Sequence, residues 1–243
     1  MSAFWRGTMA VSIKSAREIE LMREAGKRLA HVHQELEAMI APGISTWEID
    51  AKGEKLIRDC GCIPNFLHYN GYPASICVSV NDEVVHGIPR KDRYLKEGDI
   101  VSLDAGLIYK GYHSDAARTH AVGKVSTEAQ KLMDVTKQSF FEGIKMAKEG
   151  QHLHDISRAI EEYVTPYGYG IVRDLVGHGI GTALHEDPQI PNYAQKRRGV
   201  RLQAGMTLAI EPMINAGTWQ VRFLRDGWTV VTKDGSLSAH YEN

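Results

Sequence analysis

Two aspartates flank a short segment that can fold back on itself. Asp104 and Asp115 lie on either side of the sequence Tyr-Lys-Gly at 109–111, which can form the tight turn of a β-hairpin. A turn centred on 109–110 would place the two aspartates directly opposite each other, whereas a turn centred on 110–111 would make them diagonal neighbours. In both cases the carboxylates point to the same side of the hairpin, with their Cβ atoms about 5 to 8 Å apart.

The strands around these aspartates are otherwise rich in apolar residues such as Val101, Leu103 and Leu107. Two like charges on such a surface repel each other and are costly to remove from water unless a positive group lies between them. A metal ion would meet this requirement. The alternative is that both aspartates lie on a face exposed to solvent.

Three further residues are candidate metal ligands. His178 lies in the sequence Gly-His-Gly-Ile-Gly at 177–181, where the glycines let the backbone approach another group closely. Glu211 ends an apolar run and precedes Pro212, which ends strand pairing, so this carboxylate needs a partner. Glu242 follows a predicted turn at 233–235. Taken singly, His178 could instead satisfy a hydrogen bond in the core, and Glu242 could be a surface residue.

Together these residues form an oxygen-rich donor set with a single imidazole, which has too many carboxylates for a structural zinc site. Such a set suits two divalent ions with open coordination positions. Bridging carboxylates hold two ions about 3.5 to 4 Å apart, and water between them can be deprotonated near neutral pH to attack a carbonyl group. The chemistry that the set predicts is hydrolysis. The five donors are Asp104, Asp115, His178, Glu211 and Glu242.

Two of the donors, Asp104 and Glu211, occupy matching places in a repeated sequence. Residues 96–104 recur as 203–211, each with a glycine, an apolar run and a final carboxylate. Gly43 and Ile49 recur as Gly150 and Ile156 at the same offset, and the sequence His-Gly-Ile at 86–88 recurs at 178–180 with a different offset. This self-similarity predicts two like α/β halves that face each other, with a site between them.

Capping patterns and periodicity predict the elements of each half. Ser15 with Glu18 opens a helix to about residue 40, and Ser45 with Glu48 opens a second helix to about residue 59. The second half repeats the arrangement, with helices from Thr127 to about residue 148 and over 155–164. The predicted strands are 75–80, 100–109, 113–122, 206–214 and 228–232.

Composition predicts the broad class of the protein. The 243 residues carry a formal charge of -1 and are 43% hydrophobic, which favours a globular protein with a small-molecule or peptide ligand over a DNA-binding or membrane protein. Three cysteines cannot all form disulfides, so we expect the protein to work in a reducing cytoplasm. Cys60 and Cys62 could form half of a zinc site, but the sequence has no second cysteine pair to complete it. We expect one domain over 11–243, with halves of about 11–123 and 124–243. Residues 1–10 would be an N-terminal extension or a remnant of cloning.

From about residue 11 to residue 242 the chain resembles the methionine aminopeptidases of the bacterial type I form. The resemblance rests on several motifs in register rather than on any one of them. The matching motifs are Gly-Tyr-Pro-Ala-Ser-Ile-Cys at 71–77, Asn-Asp-Glu-Val-Val-His-Gly-Ile-Pro at 81–89, Asp-Ala-Gly at 104–106, Ser-Asp-Ala-Ala-Arg-Thr at 114–119, Gly-His-Gly-Ile-Gly at 177–181, Leu-His-Glu at 184–186 and Ile-Glu-Pro at 210–212.

This resemblance implies the α/β pita-bread fold, in which pseudo-twofold halves surround a curved antiparallel sheet covered by helices. It also implies that the five donors bind two divalent ions, of Co, Mn, Fe or Zn, and that the enzyme removes the initiator methionine from nascent chains. Glu211 would then move the proton from water to the leaving amine, while His185 and His86 would hydrogen-bond the developing oxyanion and the peptide backbone.

The resemblance further implies a methionine pocket lined by Tyr69, Tyr72, Cys77 and Trp228, with Leu184 where many relatives carry Phe. Aromatic and sulfur-containing walls suit an unbranched thioether. Only peptides with a small second residue are expected to fit. We expect a monomer. Its basic residues could dock weakly on ribosomal RNA, or could be ordinary solvated charges. These residues are Lys196, Arg197, Arg198, Arg201, Arg222 and Arg225.

Other functions predict different sequences. Xaa-Pro peptidases of the same fold resemble this chain only with an extra N-terminal domain, for which 243 residues leave no room. A type II methionine enzyme would carry a long insertion between His185 and Glu211, and the eukaryotic type I form a zinc-binding extension. A non-catalytic protein of this fold would have lost its ligands, whereas all five positions are filled here.

Overall fold

A computed structural model describes residues 11–243, so the predicted N-terminal extension lies outside the described residues. The first half begins with α1 (Ala16–Glu37) and α2 (Thr46–Asp59). Both helices start with the predicted capping boxes, in which Ser15 pairs with Glu18 and Ser45 pairs with Glu48. Helix α1 ends slightly before the predicted residue 40, because the chain changes to single turns ahead of Pro42.

An antiparallel sheet packs beneath these helices. The central strand is β4 (Ile100–Tyr109). Strand β2 (Ile76–Val80) pairs with one edge of it and β5 (Tyr112–Ala121) with the other, and the short β1 (Ile63–Pro64) pairs with its far end. Strand β3 belongs to another sheet. A hydrophobic core built from residues within 25–122 fills the space between this sheet and α1 and α2. The strands are β1 (Ile63–Pro64), β2 (Ile76–Val80), β3 (Glu83–Val85), β4 (Ile100–Tyr109) and β5 (Tyr112–Ala121).

The hairpin of β4 and β5 determines where the two aspartates lie. Tyr109 pairs with Tyr112, and the turn residues Lys110 and Gly111 have φ angles of 48° and 84°. Two consecutive positive φ values are the mark of a type I′ turn, whose twist matches that of the strands. The turn is therefore centred on 110–111. Asp104 pairs with Ala117 and Asp115 pairs with Gly106, so the aspartates are diagonal neighbours, as the second alternative requires.

The second half begins with α3 (Thr127–Ile144) and α4 (Leu153–Val164). The Ser126 side chain accepts a hydrogen bond from the Ala129 backbone and so caps α3. Helix α3 ends before the predicted residue 148, because the chain continues in tight turns up to Gly150. Helix α4 begins two residues before the predicted 155, and Asp155 caps it by accepting a hydrogen bond from the His152 backbone.

Eight further short strands complete the described chain. Together with β3 they form three antiparallel sheets of three strands each, ordered β13-β10-β6, β11-β12-β3 and β8-β7-β9. The single strand predicted at 206–214 is wrong. The chain forms β9 and β10 instead, with residues 210–212 between them, and Pro212 has no N–H for a ladder bond. The strands are β6 (Gly170–Ile171), β7 (Gly177–Gly179), β8 (Glu186–Ile190), β9 (Leu208–Ala209), β10 (Met213–Asn215), β11 (Val221–Phe223), β12 (Val230–Thr232) and β13 (Ser238–His240).

Backbone geometry repeats with the sequence. Gly43 and Gly150 have φ angles of 91° and 87°, and their N–H groups donate to the carbonyls of Leu95 and Leu202. An isolated bridge joins Ser45 to Tyr94 in the first half and His152 to Arg201 in the second. All of these pairs are related by the offset that relates 96–104 to 203–211. A second core lies mainly among α3, α4 and β10. The two sequence halves therefore fold alike around their helices.

Candidate metal centre

The five predicted donors line one cavity of about 490 Å³. Asp115, His178 and Glu242 each offer a ligand atom within 4.8 Å of the others. Glu211 Oε1 lies 3.6 Å from His178 Nε2. Asp104, on the strand paired with that of Asp115, lines the same cavity. Residues that are up to 138 positions apart in the sequence thus converge on one place.

Backbone pairing explains why the donors meet. Asp104 and Asp115 come from the β4–β5 hairpin. Glu242 lies opposite Ala117 of β5, and the two residues exchange backbone hydrogen bonds of 2.9 and 3.3 Å. This bridge brings the end of the chain against the first half. Residues from both parts of the sequence therefore line the same cavity.

The glycines beside His178 allow β7 to lie between two strands. A Cβ on Gly177 would overlap the Ala209 carbonyl of β9, and a Cβ on Gly179 would overlap the Asp187 carbonyl of β8. The His178 ring is oriented by its Nδ1, which is 2.8 Å from the Gly179 carbonyl oxygen. Nε2 is consequently left to face the carboxylates, which is the usual arrangement of a histidine ligand.

Four carboxylates lie close together, and among residues 11–243 none of them forms an ion pair with a lysine or arginine. Burial raises the pKa of Asp104 well above its usual range, and the neighbouring Asp115 and Glu211 raise it further. Burial, reinforced by nearby carboxylates, also raises the pKa values of Glu211 and Glu242. The pKa of Asp115 is raised to about 7, again by burial.

Several oxygens of this cluster have no hydrogen-bond partner among residues 11–243, namely Asp104 Oδ1, Asp115 Oδ1 and Glu242 Oε1. Leaving buried acceptors unsatisfied is costly, and a cation would satisfy them and remove the repulsion. Carboxylate and imidazole donors suit divalent first-row ions. The residues present therefore fit a divalent metal site.

The sequence analysis missed one histidine of this cluster. His240 is 2% exposed, and its Nε2 lies 3.9 Å from Glu211 Oε2 and 4.0 Å from Glu242 Oε2. Neither ring nitrogen has a hydrogen-bond partner within the described part of the chain. Burial lowers the pKa of His240 to about 3, so the ring is neutral. The two-residue spacing from Glu242 was an available signal, since alternate residues of a strand share a face.

The other predicted histidines lie beside the donors. The His185 ring centroid is 4.3 Å from that of His178, and its Nδ1 is 2.9 Å from the Tyr69 hydroxyl. His86 lines the same cavity, with its ring centroid 6.3 Å from that of Trp228. Burial lowers the pKa of His185 to about 3 and that of His86 to about 4. Both rings are neutral near pH 7 and can exchange hydrogen bonds with an uncharged substrate.

An apolar cluster forms one side of the cavity. Tyr72 and Trp228 pack edge to face with centroids 5.0 Å apart, and the Tyr72 hydroxyl donates to the Gly87 carbonyl. Cys77 is 3% exposed and pairs with Asp104 across β2 and β4, so the thiol lies next to the metal cluster. Tyr69 and Leu184 belong to the same cluster. Phe66, which the sequence analysis did not include, also lines the cavity.

The other two cysteines and the basic residues predicted for docking do not line this cavity. Cys60, Cys62 and Cys77 are free thiols, and no metal-binding group of the described residues includes them. Arg198 pairs with Asp155 at 2.6 Å, and Arg201 donates to the Gly150 carbonyl. Lys196, Arg197, Arg222 and Arg225 are exposed. Within residues 11–243, no helix has the length and apolar character needed to span a membrane.

Antiparallel sheets that gather four carboxylates and an imidazole in a cavity define a metal-dependent hydrolase. The chain belongs to metallopeptidase family M24, whose model matches residues 20–242. It is 54% identical over 233 residues to the methionine aminopeptidase of Clostridium acetobutylicum, covering 96% of this chain and 93% of that protein. Methionine aminopeptidase 1 of Bacillus subtilis is 52% identical over 230 residues, with 95% and 92% covered.

A solved structure gives the same result for the fold. The crystal structure of a methionine aminopeptidase from Thermotoga maritima matches with a TM-score of 0.94 and 46% identity, over 96% of this chain and 94% of that one. The pita-bread fold and the family resemblance predicted from the motifs are both confirmed.

Proposed function

We propose that this protein is an aminopeptidase that uses divalent metal to remove the N-terminal methionine from nascent proteins whose second residue is small. The observation that carries the proposal is the convergence of five metal donors beside an aromatic and sulfur-lined pocket in one cavity. The similarity to methionine aminopeptidases over nearly the whole chain supports the choice of substrate.

Five residues would hold two divalent ions, of Co, Mn, Fe or Zn. When bound, such ions polarise the scissile carbonyl group and make water a nucleophile near neutral pH. Asp104 and Asp115, diagonal neighbours on the hairpin, would offer carboxylate oxygens to the ions, and His178 would supply the nitrogen donor. The full set is Asp104, Asp115, His178, Glu211 and Glu242.

Glu211 would move the proton. Its Oε1 faces His178 and its Oε2 faces His240, so the carboxylate lies across the centre of the cluster. A carboxylate whose pKa is raised by burial accepts a proton more readily than an ordinary glutamate, and it can pass that proton to the leaving amine.

His185 and His86 would hydrogen-bond the developing oxyanion and the peptide backbone. The Tyr69 hydroxyl contacts Nδ1 of His185, so Nε2 is available for the substrate. The methionine side chain would lie against Tyr69, Tyr72, Cys77 and Trp228, where aromatic faces and a thiol contact a thioether favourably.

The same proposal includes the cellular setting. A monomer in the cytoplasm would meet nascent chains near the ribosomal exit, and weak docking through the exposed basic residues would bring it there. Free thiols at all three cysteines are consistent with a reducing compartment.

Peptide hydrolysis tests the proposal. Purified protein loaded with Mn, Co or Fe should release methionine from Met-Ala, Met-Gly and Met-Ser peptides, and a chelator should stop the reaction. Met-Lys and Met-Phe peptides should be spared, because the enclosed site leaves little room for a large second residue. Equal rates on all five peptides would contradict the specificity, and no release of methionine with any metal would contradict the activity.

A further inference from the structure

An arginine lies close to two aromatic rings at the outer part of the cavity. Arg173 follows β6 and lines the cavity that contains the metal donors. Its guanidinium carbon lies 5.2 Å from the ring centroid of Tyr193 and 5.0 Å from that of Trp219. Contacts of this kind with two rings restrict the guanidinium without using its N–H donors.

Among residues 11–243, the contacts of the Arg173 guanidinium are the two aromatic rings, and no ion pair or side-chain hydrogen bond uses its N–H donors. Asp174 lines the same end of the cavity but does not pair with Arg173. An exposed arginine that is oriented by aromatic rings and has unused donors is suited to bind a carboxylate or carbonyl group.

Hydrogen bonds hold the chain next to both aromatic residues. Trp219 follows a loop in which Thr218 accepts a hydrogen bond from the Asn215 side chain and donates to Asp234. Tyr193 follows the fully buried Asn192, whose side-chain amide donates to the Glu211 backbone carbonyl at 3.0 Å. The aromatic support of Arg173 is therefore tied to the segment that carries a metal donor.

The cavity has an inner and an outer end. Cys77 and Glu242 are buried at the inner end, whereas Arg173, Asp174 and Gln189 are exposed. A peptide whose first residue lies in the inner pocket must leave through the exposed end. Its third and later residues then pass the guanidinium.

We propose that Arg173 is a specificity-determining residue that binds the substrate chain beyond its second residue and favours peptides with Asp or Glu at position three or four. This inference rests on the proposed aminopeptidase function. A guanidinium can donate two parallel hydrogen bonds to a carboxylate, so the preference is for acidic residues. In peptides without an acidic residue at these positions, Arg173 would donate weaker hydrogen bonds to backbone carbonyl groups.

The test compares kcat/KM for peptides of the form Met-Ala-Xaa-Xaa with Asp, Ala or Lys at positions three and four. The unsubstituted protein should favour Asp over Lys by about two- to fivefold, mainly through KM and less at high salt, as expected for an exposed ion pair. In Arg173→Gln the ratio should fall to about one, and Arg173→Lys should retain part of it because its charge remains without the planar fork. Arg158→Gln, which changes an exposed arginine on α4, should retain the full ratio.

A short substrate separates this inference from the proposed function. Met-Ala amide ends before the position of Arg173 and reports on the metal centre alone. A larger loss for Arg173→Gln on the acidic peptide than on Met-Ala amide supports the inference, and equal losses on both overturn it. No preference for Asp over Lys in the unsubstituted protein also overturns it. Failure of that protein to cleave Met-Ala amide would instead contradict the aminopeptidase function.

Discussion

At the residue scale, the carboxylates of the cavity are held in a place where they need a cation. Replacing Asp104 by Asn or Glu211 by Gln keeps the shape of each side chain and removes the charge. Loss of a residue that only orients a metal ligand costs up to about 100-fold in activity. We expect kcat/KM of these variants to fall by more than that. Circular dichroism should show an unchanged fold, and bound metal should decrease. Full activity of either variant at saturating metal would contradict the ligand assignment.

His185 is expected to behave differently, because it contacts Tyr69 and lies beside the donors rather than among them. His185→Ala should lower kcat by about 10²- to 10³-fold, the usual cost of removing a donor to an oxyanion, while bound metal changes little. The comparison is steady-state kinetics against metal content by mass spectrometry. A variant that binds no metal would show that His185 is itself a ligand.

The sequence was sufficient to select five residues that line one cavity, because each lies in a short motif or follows an apolar run or a predicted turn. His240 was missed because its role depends on a distance that the sequence does not contain. Its two-residue spacing from Glu242 is the one local signal, and the pairing of β13 with β10 is what places it near Glu211.

At the element scale, long elements were predicted well and short ones were not. Capping boxes specified the starts of α1 and α2, and ten residues of alternating and apolar character specified β4. Strands of two or three residues such as β6 and β9 owe their existence to partners that are far apart in the sequence, so no local pattern predicts them. The sequence allowed two positions for the hairpin turn, and the positive φ angle of Lys110 in the structure selects the turn centred on 110–111.

The hairpin also makes a prediction about Gly106, which pairs with Asp115. A Cβ at Gly106 would lie 2.6 Å from Asn65 Nδ2 and 3.1 Å from Asp115 Oδ1. Gly106→Ala should therefore displace Asp115, weaken metal binding about tenfold, and destabilise the protein by about 1–3 kcal/mol through overpacking.

Calorimetric titration with Mn and thermal unfolding would measure both effects. Gly26→Ala on α1 is the matched control, since its Cβ would make only an ordinary contact, 3.9 Å from Ser114 Oγ, and should leave metal affinity unchanged. If Gly106→Ala binds metal as tightly as the unsubstituted protein, the hairpin does not set the position of Asp115.

At the scale of the whole molecule, a formal charge of -1 gives no general attraction to RNA, so ribosome docking would depend on local basic residues. We expect weak co-sedimentation with ribosomes at low salt that fades steeply as salt rises. Charge reversal at 196–198, or at Arg222 and Arg225, should reduce it. Binding that is absent, or indifferent to both salt and charge reversal, would leave these residues as ordinary solvated charges.

Stability of the whole molecule should depend on metal and on pH. In the metal-free protein the pKa of Asp115 is raised to about 7, so between about pH 4 and 7 the folded state holds a proton that the unfolded state releases. Stability contributed by that proton is lost as pH rises through this range. Buried neutral histidines such as His178 and His240 act oppositely, but only below about pH 6.5, where the unfolded state would protonate them.

Above pH 6.5 the carboxylates therefore dominate, and the Tm of chelator-treated protein should fall between pH 6.5 and 8. Metal binds the deprotonated cluster, so the increase in Tm on adding Mn should grow over the same interval. At a concentration 100 times Kd the metal adds about 2.7 kcal/mol, or about 5–10 °C for a chain of this size. Asp104→Asn, which lacks one donor, should show a smaller increase. A metal-free Tm that rises from pH 6.5 to 8, or that does not respond to Mn, would contradict the assignment of these buried carboxylates as a metal site.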